Sequence, residues 1–310
     1  MNPIAIQTQS LTRDFKTVRA VDDLTLEVPA GKVFGFLGPN GSGKTTTIRL
    51  LLGLLEPTQG QAKVLGFDTR SEAARIRAQC GALLEHNGLY ERLSAETNLE
   101  FYGRIWHIPS TERKNRIQEL LTHLDLWERR KEITGNWSRG MKQKLAFART
   151  LLHKPALVFL DEPTAGLDPL AAASLREDLS AMAKREGVTI FLTTHNLAEA
   201  EKLCDQVGVI RQGKLVAVGS PETLRGQGSI PRVRITGRNF SDRLLASLRS
   251  RSEVKDVGLD AGILTVELKQ DGSLTPLVNL MVQEGAEIEE VNRMKASLED
   301  VFLTLMEEEK

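Results

Sequence analysis

The sequence predicts an α/β protein with a buried parallel sheet, an antiparallel β part in front and a small α+β domain behind. Three observations carry this. A short apolar run, Val33–Leu37, meets a glycine-studded turn, and beyond it Ile48, Leu51, Leu52 and Leu55 recur at spacings of three and four. Two further apolar runs of strand length, "ALVFLDEP" and "TIFLTTH", are separated by a helical stretch from 170 to 186. Near Gly219 the character changes, and a fresh pattern of strands and helices begins after a stretch rich in turn formers.

Taken in order, residues 4 to 28 alternate apolar and polar in "IAIQTQ" and "AVDDLTLEV", which predicts antiparallel strands. Residues 61 to 86 read as a short strand, a polar helix and the strand "CGALLE". Residues 94 to 154 read as mostly helical, with Ile117, Leu120, Leu121 and Leu124 on one apolar face. "QVGVIRQGKLVAVG" predicts a hairpin turning at Gln212-Gly213. We expect one domain over residues 1–219, its helical part at about 90–154, then a linker at 220–231. In 232–310, the segments from "RVRITGR" to "EIEEVNRM" spell βαββαβ, followed by the helix "ASLEDVFLTLMEE". That order fits a ferredoxin-like domain. The terminal "EEEK" reads as a solvated helix end.

Composition narrows the function. Lys plus Arg is 41 and Asp plus Glu is 41, so the formal net charge is zero. A protein that coats nucleic acid would carry a basic surplus, so no nucleic-acid partner is expected. Cys80 and Cys204 are far apart and form no C-x-x-C, as befits reduced thiols in a cytosolic core. "MNPIAIQTQS" lacks the basic and apolar regions of a signal peptide. No stretch approaches the ~18 uncharged apolar residues of a membrane span, so any membrane role is expected to run through a partner.

The glycine-studded turn, Gly38-Pro39-Asn40-Gly41-Ser42-Gly43-Lys44-Thr45, fits G-x-x-x-x-G-K-[ST] between a strand and a helix. Glycines let successive backbone N–H groups converge on phosphate oxygens, and the helix adds its positive end. Lys44 can reach the terminal phosphates, and Thr45 can offer a hydroxyl to Mg²⁺. "ALVFLDEP" brings Asp161 and Glu162 to the carboxyl end of a strand, where ligands bind in open α/β sheets. Asp161 suits Mg²⁺, and Glu162 suits a general base toward water. "TIFLTTH" delivers His195 to the same edge, as a donor to the terminal phosphate. In "NWSRGMKQKLAFARTLLHKP", Ser138 precedes a helical pattern, so Ser138 and Gly140 would present a hydroxyl and N–H groups to an anion. Taken alone, that stretch would be a capped surface helix.

Together these pieces resemble the nucleotide-binding subunit of an ATP-binding-cassette (ABC) protein, a P-loop NTPase, over about residues 4 to 219. "GPNGSGKTT", ending in Thr45 and Thr46, looks like Walker A, and "LVFLDEP" like Walker B. "SRGMKQ" is similar to the export-type form of the family signature, "AGLDP" with Asp168 to the D-loop, and "TTH" to the switch histidine. The resemblance implies an ATP hydrolase using ATP and Mg²⁺, with adenine stacked on Phe15 in "LTRDFKTVRAVDDL". It implies two subunits head to tail, homodimer or heterodimer, each ATP held by one chain's Walker A and by Ser138 to Met141 of the other. It further implies an exporter powered from the cytoplasmic face through a separate membrane permease. Tyr90, Leu93, Phe101 and Trp106 would line the permease contact, unless they are core. The C-terminal part resembles the extension of export-type subunits, with dimer contact or regulation as its implied role.

Two positions depart from the pattern. Trp137 replaces the usual leucine of the signature, and Glu85 replaces a glutamine that contacts Mg²⁺ and the attacking water. A carboxylate at 85 suits the metal but repels the terminal phosphate. Hydrolysis is therefore expected to be slow until a partner sets this loop. The rival class, a soluble ABC ATPase acting on ribosomes or DNA, usually carries two cassettes or a long coiled coil. This chain shows one cassette and no sustained heptads.

Overall fold

The alternating start of the chain folds as β1 (Ile4–Phe15) and β2 (Val18–Pro29), paired antiparallel around a tight turn at Lys16. The computed structural model describes residues 3–226, 231–260, 262–270, 272–294 and 297–307. Part of the expected linker (227–230) and of the terminal "EEEK" (308–310) lies outside the described residues. The chain divides into two compact units, Met1–Pro221 and Glu222–Lys310.

In the first unit β3 (Val33–Leu37) leads through the glycine turn into α1 (Lys44–Leu51). The apolar spacing had carried that helix to Leu55. It stops at Leu51 because Gly53 turns left-handed (φ 62°), and Leu55 packs against the core from the following loop. Next come β4 (Gln59–Val64), β5 (Phe67–Asp68), α2 (Ala73–Gln79) and β6 (Cys80–Leu83). The helical region holds α3 (Ala95–Ile105), α4 (Ser110–His123) and α5 (Arg139–Leu151). Then follow β7 (Leu157–Asp161), α6 (Pro169–Glu186), β8 (Thr189–Thr194) and α7 (Leu197–Leu203). β9 (Gln206–Arg211) and β10 (Lys214–Gly219) form the expected hairpin, with Gln212 and Gly213 both at positive φ.

Two sheets result. One is antiparallel, in the order β2-β1-β4-β5; the other is six-stranded, in the order β10-β9-β3-β8-β7-β6. In the second, β9, β3, β8, β7 and β6 run parallel. Its central strands are buried at every residue, as a sheet covered on both faces must be. Phe191 of β8 stacks on Phe34 of β3 (ring centroids 5.5 Å apart) and meets Phe159 of β7 at a tilt (5.7 Å). Each such fully buried ring contributes about 1.5–3 kcal/mol. This aromatic layer fixes three strands whose ends carry the site.

Charge pairs brace the helices. Arg113 of α4 grips Glu100 of α3 through Nε (2.7 Å) and Nη2 (2.8 Å). Its aliphatic stem lies across Gly103, where a Cβ would meet Arg113 Cδ at 2.3 Å. Arg116, almost fully buried, ties α4 to Glu186 at the end of α6 (3.0 Å). Trp137 is buried and donates from Nε1 to Glu132 (3.2 Å), so the departure from leucine is absorbed by packing. Cys80 and Cys204 are free and buried, and burial pushes the Cys80 thiol up to about 12.

After α8 (Pro221–Gly226), the second unit runs β11 (Arg232–Arg238), α9 (Asp242–Arg249), β12 (Val254–Asp260) and β13 (Ile263–Leu268). α10 (Thr275–Gln283), β14 (Glu287–Met294) and α11 (Leu298–Glu307) follow. All neighbouring strands are antiparallel, in the order β12-β13-β11-β14, the ferredoxin-like arrangement. Val233, Ile235, Leu264 and Val266 face Leu244, Leu248, Leu277 and Met281 in a core of the unit's own.

Candidate active site

The strand order builds the site. β3, β8, β7 and β6 lie side by side, and beyond their carboxyl ends stand the Gly38–Gly43 loop, His195, Glu162 and Glu85. The loop is shaped by what glycine omits. At Gly43 (φ 107°) a Cβ would strike the Ala20 carbonyl oxygen at 2.2 Å, and at Gly38 it would strike that of Ile210 at 2.4 Å. Gly41 (φ 80°) faces open space. α1 begins at Gly43 with no side-chain cap and no acidic residue in its first turn. Its unpaired N–H groups and positive end are left for an external anion. Ser42 Oγ is buried with no hydrogen-bond partner among the described residues, as suits a group awaiting a phosphate oxygen.

Lys44 is almost fully buried and donates to the carbonyls of Gly38 (2.7 Å) and Pro39 (3.2 Å). It also lies 3.3 Å from Glu162 Oε1. Thr45 Oγ1 donates to Asp161 Oδ2 (2.7 Å), and Thr193 Oγ1 donates to Asp161 Oδ1 (2.6 Å). Glu162 is in the left-handed region (φ 49°), held there by N–H bonds to Thr193 O (3.2 Å) and Oγ1 (3.1 Å). A non-glycine residue so placed costs about 1–3 kcal/mol, and such strain clusters at functional sites. The turn aims the Glu162 side chain at His195, whose Nδ1 lies 2.9 Å from Oε2.

Two adjoining clefts share Thr45, Asp161 and Glu162. One, of about 210 Å³, adds the phosphate loop, Thr46 and Val18. The other, of about 380 Å³, adds Glu85, Arg139, Gln143 and Ala165. Asn40, Gly41, Gly43, Lys44, Thr45, Thr46, Glu85, Asp161 and Glu162 are thus brought together. Phe15 does not line either cleft. It is half-exposed opposite Val18, with the Arg13 guanidinium 4.6 Å from its ring centre. Ser138, Gly140 and Asp168 also lie outside the lining. Ser138 caps α5 through Met141 N–H (3.3 Å), and Asp168 caps α6 through Ala171 N–H (2.9 Å).

Two residues escaped the sequence reading, and a third was expected at the partner's site. Thr193 orients Asp161 and Glu162, and its signal was a hydroxyl in a wholly buried strand, which demands a partner. Gln143 donates to Pro163 O (2.8 Å) from inside the larger cleft. Arg139, expected with Ser138 to Met141 on the partner's ATP, lines its own chain's cleft, a placement set by the path of α5.

A metal would be held jointly here. Among the described residues no group of three or more His, Cys, Asp and Glu is set to bind an ion. Asp161 and the Thr45 hydroxyl offer the sparse protein ligation Mg²⁺ takes when phosphates and water complete its shell. A phosphate loop, a strand-end acid pair and a histidine on that acid define a P-loop nucleotide hydrolase.

The comparisons narrow the class. A family model described as "ABC transporter" matches residues 21–165. The bacitracin transport ATP-binding protein BcrA of Bacillus licheniformis is 36% identical over 97% of both chains. The daunorubicin resistance ATP-binding protein DrrA3 of Streptomyces coeruleorubidus is 33% identical, over 98% of this chain and 96% of its own. A solved ATP-binding subunit of an ABC transporter is similar with TM-score 0.64 and 32% identity, over 72% of this chain and 92% of its own. A dimeric, post-hydrolysis ATP-binding cassette bound to ADP and Pi shares the fold (TM-score 0.63, 23% identity, 69% of this chain and 98% of its own). The chain belongs to the ABC transporter ATP-binding family, and it is an ATPase of that family.

Proposed function

We propose that this chain powers an exporter by ATP-driven closing and opening of a dimer at the cytoplasmic face of the membrane, working with a separate membrane-spanning permease. The observation that carries the catalytic reading is the placement of Glu162. It is turned left-handed at the mouth of the clefts, 3.3 Å from Lys44 and 2.9 Å from His195. Transport of small toxic compounds is supported by the relatives named for bacitracin transport and daunorubicin resistance, aligned over nearly their whole length. Among the described residues no helix is long and apolar enough to cross a membrane, so the reading includes a permease as a second chain.

In this mechanism the N–H groups of Gly41 to Thr46 and Lys44 Nζ hold the ATP phosphates, while Phe15 stacks on the adenine. Thr45 and Asp161 would hold Mg²⁺, with Glu85 facing the same cleft; the metal, when bound, neutralises phosphate charge. Glu162 takes a proton from the attacking water. Oxygen bonds to the terminal phosphorus as the bridging bond breaks, leaving ADP and phosphate. His195 steadies Glu162 and donates toward the terminal phosphate. Ser138, Gly140 and Asp168, outside their own chain's clefts, complete the partner's site by two-fold symmetry. Residues 1–219 act as the motor, and 232–310 as an accessory domain. Affinity purification in mild detergent, with mass spectrometry of the co-purifying chains, tests this. A stoichiometric multi-span membrane protein is expected. Ribosomal or DNA-repair partners alone would overturn the exporter reading and leave the ATPase standing.

A further inference from the structure

Beyond His195, in the first turn of α7, Glu199 is almost fully buried and lies outside the lining of both clefts. Both of its carboxylate oxygens are taken. Oε1 accepts from Arg176 Nη1 of α6 (2.6 Å), and Oε2 accepts from Thr164 Oγ1 (2.5 Å). Thr164 stands in the loop from β7 to α6, between Glu162 and Asp168. Burying a carboxylate is costly, and an apolar side chain would pack α7 on α6 as well or better. What the carboxylate adds is direction: one oxygen is anchored on a helix, and the other is fixed on the loop.

The same two segments meet again at the site. His195 Nδ1 lies 2.9 Å from Glu162 Oε2, and the histidine in that contact is exposed. Such an exposed pair is screened by water and holds little geometry by itself. The buried tie from Thr164 to Glu199 runs alongside it, beyond the ends of the paired strands β7 and β8. Short hydrogen bonds link each end of the tie to the exposed pair. Glu199 N–H donates to Asn196 Oδ1 (3.1 Å) and Asn196 N–H to Thr194 Oγ1 (2.9 Å), which binds residues 194 to 199 into one turn around His195. In the loop, Ala165 N–H donates to Glu162 O (3.0 Å), which closes a turn that contains Thr164.

We propose that Glu199 is a positioning residue for ATP hydrolysis: anchored on Arg176, it holds Thr164 and so keeps His195 set against Glu162. The phosphate loop is built from β3 and α1, so nucleotide binding does not depend on this tie. The proposal rests on the ATPase reading of the site and adds Glu199, Thr164 and Arg176 to it.

The test reads kcat and KM for ATP hydrolysis in the full chain, with the affinity and stoichiometry of a fluorescent ATP analogue. Thr164→Val removes the hydroxyl at constant shape, and is expected to lower kcat about tenfold with KM and analogue affinity within about twofold. Thr164→Ser, which keeps the hydroxyl, is expected to restore kcat to within about twofold of wild type. Glu199→Met removes both bonds and is expected to lower kcat by a similar factor, and no further when added to Thr164→Val. In a His195→Ala background, Thr164→Val is expected to have no further effect, because the group that it positions is gone. A merely structural tie would lower kcat by the same factor in both backgrounds, or lower the stoichiometry of analogue binding in step with kcat. Either result would overturn the proposal, as would a Thr164→Val chain with unchanged kcat or a Thr164→Ser chain as impaired as Thr164→Val. A wild-type chain that binds no ATP analogue and releases no phosphate would overturn the ATPase reading beneath it.

Discussion

Glu162 and Gly43 show how single residues set the chemistry. Glu162 keeps a left-handed backbone that is held by Thr193 and directed at His195. Glu162→Gln keeps its shape and hydrogen-bonding reach but cannot take a proton. We expect kcat to fall by about 10²–10⁴-fold, with nucleotide affinity within a few-fold, measured by phosphate release and analogue binding. Gly43→Ala adds a Cβ that would sit 2.2 Å from Ala20 O, on a backbone at φ 107°. Loss of stability of about 1–3 kcal/mol, with loss of nucleotide binding, is expected in thermal melts and binding titrations. The loop was legible in sequence because its geometry is local: eight consecutive residues and the elements flanking them specify it. Thr193, and the place of Arg139 in its own chain's cleft, were not, because they come from strand pairing between β7 and β8 and from the path of α5 over Gly166.

Among the elements, the α3–α4 brace is the clearest case of sequence pattern turned into energy. The apolar face of α4 was readable from spacing alone. The charges on its edge were not, since Glu100 and Arg113 sit on different helices. The Arg113 guanidinium, with lesser help from Arg104, holds the Glu100 carboxyl below its ordinary range against the cost of burial. A depressed carboxylate adds stability above its unfolded pKa, and that stability is lost as pH falls through the lower folded value. Glu100→Gln should therefore cost about 1 kcal/mol near neutral pH, and the difference from wild type should close in acid, below about pH 4. Urea melts at pH 7 and pH 3 check this; a gap that persisted at pH 3 would show the loss to be one of packing. The overrun of α1 to Leu55 has the opposite lesson. Apolar spacing continued past the helix because Leu55 joins the core from a loop, and Gly53 was the stop signal.

On the scale of the whole molecule, the α/β order and the ferredoxin-like order of the second unit followed from the sequence of strands and helices. The strand order across each sheet did not, because pairing partners are distant in the chain. The second unit has its own apolar core, closed by four antiparallel strands and two helices. Expressed alone, residues 222–310 should give a cooperative thermal transition by circular dichroism, and residues 1–221 should still bind an ATP analogue. A non-cooperative melt of the isolated segment would show that its core needs the rest of the chain.

The position of β8 has a consequence in time. It lies between β3 and β7, yet both neighbours are made before it, β3 at residues 33–37 and β7 at 157–161. On a ribosome adding about 5–20 residues per second, roughly ten seconds or more pass between the end of β3 and the end of β8. Until β8 is inserted, β3 and β7 have no common neighbour, Glu162 has no Thr193 to hold its turn, and Lys44 has no Glu162 placed beside it. The nascent subunit therefore gains a working nucleotide site late and in one step, so that nucleotide occupancy reports a sheet that has been completed.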